Sequence, residues 1–428
     1  MSHAELLARH RKVLPNWVAL YYDQPIELVD GKGCRVVDGE GTTYLDFFAG
    51  ILTTMIGYNP PEVVEAVREQ AGRMVHTSTL YLIRQQVELA ERLAELSGIP
   101  DAKVFFTNSG SEANEVALLL ATTARRSNQV LALRNSYHGR SFAAMGVTGN
   151  RSWSASSFSP VNVSYVHGGY RFRSPFRDLP DREYIAACVD DLRDVIDTMT
   201  AGQVACMIAE PIQGVGGFAV PPDGLFGAMK EVLDAHGILF VSDEVQTGWG
   251  RTGDSFWGYQ AHGVVPDMLT FAKGLGNGLP IGGVVARAEL MDSITANSIS
   301  TFGGNPLVAT GALAVLDYLA AHDLTGNAKV VGERLAAGLR RLAEGRPAVG
   351  EVRAKGLMLA VELVEPGTRT PAPALAAQLQ EEARRGGLLV GKGGLYGNVL
   401  RIAPPLILTE AEADEGLEIL AHAFSTLG

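Results

Sequence analysis

The chain has 428 residues, of which 46% are hydrophobic and 19% charged, with a formal net charge of -11. That length exceeds the roughly 100–200 residues of one ordinary domain, so two domains are expected, and the composition excludes a disordered or fibrous chain. The acidic balance argues against a nucleic-acid binder, whose affinity comes largely from Lys and Arg displacing condensed counterions.

The N-terminal stretch MSHAELLARHRKVLPNW carries charges throughout and lacks the apolar centre of a secretory signal, and Glu5 counts against a transit peptide. Gly, Pro or a charge interrupts every apolar run before the ~20 residues a membrane helix needs, so no membrane span is expected. Cys34, Cys188 and Cys206 are scattered with no CxxC pair, which suits a reducing compartment, and a cytoplasmic location is expected. The nine histidines show no HExxH or other ligand spacing, so no metal site is inferred. There is no internal repeat or low-complexity segment.

Apolar residues at three- and four-residue spacing predict amphipathic helices over 62–75, 87–96, 112–125 and 225–235. Short continuous apolar runs at 130–133, 204–208, 238–241 and 268–271 read as strands buried on both faces. Their alternation implies an α/β architecture with a mostly parallel, doubly wound sheet, in which ligands sit beyond the carboxyl ends of the strands. That rule brings Glu210, Asp243 and Lys273, each at the end of an apolar run, to one edge of the sheet. From about Gly345 onward the runs shorten (358–363, 388–390, 399–402) and a helix is expected over 374–385, which reads as a smaller α+β domain.

Phe106-Thr107-Asn108-Ser109-Gly110-Ser111-Glu112-Ala113-Asn114 passes from a strand end into a helix. Gly110 permits close backbone approach, and Ser111 adds a hydroxyl beside free N–H groups at the positive helix end, which together make a phosphate seat; a Ser N-cap alone is the plainer alternative. Val241-Ser242-Asp243-Glu244 could also be the acidic strand end of a nucleotide hydrolase. Its required phosphate loop is poorly matched by 386–392, where Gly393 replaces the magnesium-binding Ser or Thr and the segment follows the acidic strand. Gly274-Leu275-Gly276-Asn277-Gly278 has the wrong spacing for a dinucleotide loop. Lys273, if desolvated at a strand terminus, would have a lowered pKa and act as a Schiff-base nucleophile instead of a solvated surface charge. His138 stands between acid–base work and a structural role.

The set Asn108 to Asn114, Tyr137-His138-Gly139-Arg140, Ala209-Glu210-Pro211-Ile212-Gln213-Gly214, Asp243-Glu244-Val245-Gln246-Thr247-Gly248 and Ala272-Lys273-Gly274 resembles the class III aminotransferases, in order and separation as well as in residues. The resemblance runs from about Trp17 to the last helix. It implies fold type I, with an N-terminal part of the small domain at 1–60, a large pyridoxal-phosphate-binding domain at 61–325, and the C-terminal part of the small domain at 326–428.

The resemblance also assigns roles. Lys273, Asp243 and Glu210 become the expected catalytic residues: Lys273 holds pyridoxal 5'-phosphate as a Schiff base and moves the proton between Cα and C4′, while Asp243 keeps the pyridine nitrogen protonated. Tyr137 and Val245 flank the ring, Gln246 meets the ring hydroxyl, and Gly110 and Ser111 take the phosphate. Thr301, in Ser300 to Pro306, reaches the phosphate of a neighbouring subunit, which implies a homodimer with shared sites, or a tetramer built from it. Arg401 grips the α-carboxylate and Arg140 a distal one, because a guanidinium holds a carboxylate by two parallel bonds.

One departure narrows the branch. Where the 4-aminobutyrate and ornithine branches place a second glutamate that neutralises the Arg401 counterpart, this chain has Val215. With Ser255 to Gly258 and Gly387 to Lys392, it is similar to the alanine-glyoxylate branch, which implies an amino-acid donor (a β- or ω-amino acid or alanine) and a small 2-keto acid acceptor such as pyruvate or glyoxylate. A phospho-lyase or aminomutase could use the same motifs, and a non-catalytic binding protein fits poorly with intact Lys273 and Asp243.

Overall fold

Strands Val204–Ala209 and Leu239–Asp243 are buried at every residue, which is why they read as unbroken apolar runs. In the computed structural model, which describes residues 2–427, they lie near the middle of a seven-stranded sheet. Its order is Ala102–Thr107, Gly282–Arg287, Met268–Phe271, Leu239–Asp243, Val204–Ala209, Gln129–Leu133, Asn162–Val166. The last five are parallel to one another, and Gly282–Arg287 runs antiparallel to both of its neighbours.

Side chains alternate between two cores. Leu131, Leu133 and Met207 pack with helices Asp181–Met199 and Leu225–Ala235, whereas Val130, Ala132 and Cys206 pack with Ala113, Ala117 and Leu118 of helix Gly110–Arg125. That last helix begins two residues earlier than periodicity predicts. Ser109, with its hydroxyl accepting from Glu112 N–H at 3.2 Å, is the N-cap, so Ser111 sits inside the first turn.

Segments far apart in sequence build the remaining sheets. Thr43–Asp46 pairs with Arg35–Asp38 on one side and, in parallel, with Leu388–Leu389 on the other. Val349–Lys355, Met358–Leu363, Val399–Ile402 and Gly391–Gly393 form an antiparallel sheet. The stretch 386–392 therefore supplies two short strands with no helix after them, which removes it as a phosphate loop. Helix Pro306–Ala321, apolar on most of its circumference, packs on Pro61–Arg73 and Arg84–Ser97. Among the described residues no single helix is long and apolar enough to cross a membrane.

Candidate active site

The carboxyl ends of three parallel strands deliver Glu210, Asp243 and Lys273 to one cavity of about 330 Å³, which is also lined by Gly110, Ser111, Tyr137, His138, Val245 and Gln246. Lys273 sits half-buried in its wall with a left-handed backbone (φ 46°), a conformation a non-glycine residue keeps only when its surroundings enforce it. Burial lowers its amine to about 8; Arg401 acts in the same direction, and the carboxylates of Asp243 and Glu210 oppose it. An amine so placed is partly neutral near physiological pH and available as a nucleophile.

Asp243 is buried and held from three sides. Its Oδ2 accepts from Asn114 Nδ2 at 2.8 Å and lies 2.8 Å from His138 Nδ1, and its Oδ1 accepts from Val245 N–H at 3.1 Å. Asn114 is itself fixed: its Oδ1 accepts from Thr270 Oγ1 at 2.7 Å, and its Nδ2 also donates to the His138 carbonyl at 2.7 Å. His138 Nε2 is buried with no partner among the described residues. His138 is thus tied to the pocket's central carboxylate, and Asn114 was absent from the expected site although it closes the motif that begins at Asn108. Glu210 accepts from the Tyr137 and Gly214 N–H groups at 2.9 and 2.8 Å. Burial pushes its carboxyl up to about 7, aided by Asp243 and opposed by His138 and those two N–H groups.

Gly110 and Val245 fit against each other: a Cβ at 110 would stand 3.0 Å from both Val245 methyls. A Cβ at Gly214 would fall 2.3 Å from the Gln246 amide carbon, so glycine there lets Gln246 lie flat. A cavity with a glycine-opened helix start, a serine hydroxyl, a buried carboxylate and a half-buried lysine suits a flat, phosphate-bearing carbonyl compound. Among the described residues no cluster of His, Cys, Asp or Glu could hold a metal ion.

Arg401 reaches this cavity through Gln246. It is buried, donates from Nη2 to Gln246 Oε1 at 2.9 Å, and lies over the rings of Phe218 and Phe48 at 4.5 and 5.2 Å. Among the described residues its Nε has no partner and no carboxylate forms an ion pair with it. Burial lowers the guanidinium to about 10. Val215, which stands where the resemblance places a neutralising glutamate in other branches, is buried. Arg401 therefore rests on a neutral amide and two aromatic faces. Next to Phe48, four consecutive residues, Ala49 to Leu52, have left-handed φ values of 49°, 57°, 65° and 59° and lead to Thr53 in the cavity wall.

Arg140 and Thr301 lie beside this cavity and are not among its lining residues. Both are exposed and line an adjoining opening with Ser300 and Phe302, which shares Asn108, Ser109 and Ser111 with the Lys273 cavity. Within one chain, Lys273, Asp243, Glu210, Gly110, Ser111, Tyr137, Val245 and Gln246 line one cavity; Arg140 and Thr301 border it at the adjoining opening, where the Arg140 backbone N–H donates to Ser111 Oγ at 3.3 Å.

The family model for class III aminotransferases ("Aminotransferase class-III") matches residues 19–424. A relative from Arabidopsis thaliana, alanine–glyoxylate aminotransferase 2 homolog 2, mitochondrial, is 41% identical over 428 residues, covering 99% of this chain and 87% of its own. The crystal structure of an (S)-enantioselective omega-transaminase from Thermomicrobium roseum matches with a TM-score of 0.92 at 36% identity, covering 100% of this chain and 99% of that one. An amine transaminase from an uncultivated Pseudomonas species, solved in the PLP-bound internal aldimine form, matches with a TM-score of 0.91 at 33% identity over 97% and 98% of the two chains.

Proposed function

The chain belongs to the class III aminotransferases, pyridoxal-phosphate enzymes of fold type I, and from that premise we propose that it carries an amino group from a β- or ω-amino acid or alanine to a small 2-keto acid, pyruvate or glyoxylate. Pyridoxal phosphate, when bound, supplies an aldehyde that condenses with amines and a ring that takes up the electron pair left as Cα loses its proton. In this reading Gly110 and Ser111 hold the phosphate, Tyr137 and Val245 confine the ring, and Lys273 is its covalent anchor. With the cofactor in place the Lys273 amine would be the base for the Cα proton of the substrate, a task suited to an amine lowered to about 8. Asp243, held by Asn114 and His138, keeps a proton on the ring nitrogen.

The observation that carries the acceptor assignment is Arg401: a buried guanidinium with a neutral partner, an unpaired Nε and Val215 in place of a glutamate. Such a group is best satisfied by a substrate α-carboxylate. The name of the Arabidopsis relative supports glyoxylate as one acceptor. Arg140 takes the distal carboxylate of a donor in this reading, and Thr301 reaches the site of a second subunit; the exposed apolar residues Leu80, Leu82, Ile299 and Phe302 support such a dimer. The test is a panel of amines assayed against pyruvate, glyoxylate and 2-oxoglutarate. Turnover confined to 2-oxoglutarate would overturn the acceptor assignment, and product formed without any keto acid would point to lyase or aminomutase chemistry.

A further inference from the structure

Arg401 and a buried carboxylate sit on neighbouring strands. Val399–Ile402 runs antiparallel to Met358–Leu363, with Ala360 opposite Arg401 and Glu362 opposite Val399. Glu362 is fully buried. Its oxygens accept from Tyr170 Oη at 2.8 and 2.9 Å, Arg173 Nε at 2.8 Å, Arg353 Nη1 at 2.7 Å and, more distantly, Asn398 Nδ2 at 3.4 Å. Tyr170 and Arg173 belong to the segment between strand Asn162–Val166 and helix Asp181–Met199, outside the C-terminal sheet. One carboxylate therefore fastens that sheet to the body that carries Lys273.

A second path starts at the same carboxylate. Arg353 donates onward to the Gly217 carbonyl, from Nη2 at 2.8 Å and Nε at 3.3 Å. Gly217 and Phe218 both have left-handed backbones, with φ of 98° and 49°. For Phe218 that conformation is disfavoured and must be held by what surrounds it. Held there, its ring lies 4.5 Å from the Arg401 guanidinium. Glu362 thus bears on Arg401 twice, through the strand beside it and through the ring beneath it, while touching neither Arg401 nor the cavity.

We infer that Glu362 is a positioning residue that sets the strength of the α-carboxylate clamp, holding the Gly217–Phe218 turn under Arg401 through Arg353 and locking the Arg401 strand against the large sheet through Tyr170 and Arg173. A carboxylate suits the task because two oxygens gather donors from three separate segments, so the sheet and the turn keep one relative placement. The inference rests on Arg401 being the clamp for the keto acid.

The test uses the holoenzyme in its aminated form, mixed with pyruvate in single turnover, which separates apparent Kd from limiting rate. Glu362→Gln keeps the shape but leaves one acceptor oxygen and turns an NH2 towards arginine donors, and Tyr170→Phe removes a single donor. We expect the apparent Kd for pyruvate to rise about tenfold in Glu362→Gln and about threefold in Tyr170→Phe, with limiting rates within about twofold of wild type. Arg401→Ala and the Glu362→Gln/Arg401→Ala double variant complete a cycle: if Glu362 works through Arg401, the double variant binds pyruvate no more weakly than Arg401→Ala alone. Additive losses, or a fall in rate with affinity unchanged, would overturn the inference. Wild-type pyruvate affinity in Arg401→Ala would instead remove the clamp itself, which is a different failure. Should Glu362→Gln fail to fold, Tyr170→Phe with and without Arg401→Ala decides the same question.

Discussion

Replacing Lys273 by Met isolates the electrostatics of the pocket from its chemistry. The amine of the cofactor-free protein drops from 10.5 to about 8, chiefly through burial, while in an unfolded chain it titrates near its ordinary ~10.4. Below about pH 8 lysine is charged in both states, and the folded protein bears the full cost of housing that charge. Between about 8 and 10.5 only the folded state loses the proton, so stability climbs with pH, and above that window the cost is gone. At about 1.36 kcal/mol per pKa unit the upper bound is about 3 kcal/mol, which partial exposure to cavity water reduces to about 1–2 kcal/mol. Methionine has similar length and no charge. Cofactor-free Lys273→Met should therefore resist urea better than the cofactor-free wild type at pH 7, by about 1–2 kcal/mol, and the advantage should shrink by pH 9.5. Urea titrations followed by circular dichroism across that range measure it. A gain that does not change with pH, or a loss at pH 7, would refute the depressed amine.

Borohydride reduction of the holoenzyme should fix the cofactor to Lys273, and peptide mapping that finds the label elsewhere would end the proposed anchor. Asp243→Asn keeps the shape but removes the charge facing the ring nitrogen; turnover should fall by roughly two orders of magnitude with the cofactor still bound, as its absorbance would show. In Arg401→Ala, loss of a buried charge-assisted pair of ~3–5 kcal/mol should lower acceptor efficiency with pyruvate by roughly two to three orders of magnitude while sparing the half-reaction with β-alanine; equal losses in both halves would contradict a dedicated acceptor clamp. Thr301→Ala should weaken cofactor retention in a dimer, and sedimentation showing a fully active monomer would exclude a shared site.

How much was legible in the sequence depended on whether the relevant contacts were local. Helix Leu225–Ala235 has the bounds its periodicity predicts, and the strands at 204–209 and 268–271 announce themselves because burial on both faces forces unbroken apolar runs. Given those strands, the rule about carboxyl ends brings Glu210, Asp243 and Lys273 together without further help. Helix Pro306–Ala321 shows no period because it is apolar nearly all round, and strand Gly282–Arg287 opens with two glycines that read as loop. The surroundings of Arg401 were harder still. Phe48 and Phe218 reach it from opposite parts of the chain, Phe218 by a left-handed backbone that no side-chain pattern signals. The link between Asn114, His138 and Asp243 is likewise a tertiary contact, visible in sequence only as polar residues in three separate motifs.

The parallel pairing of Leu45 with Leu388 and Asp46 with Leu389 also bears on biosynthesis. Strand Thr43–Asp46 leaves the ribosome when its partner has yet to be translated, and at about 5–20 residues per second it waits roughly 20–70 s with one backbone edge unpaired. During that interval Leu45 and Phe47, fully buried in the finished protein, have no lasting cover. The hazard of aggregation is therefore concentrated early in the chain while its remedy is encoded late, and slow codons or a pause before residue 388 would lengthen the dangerous window without altering one contact of the native fold.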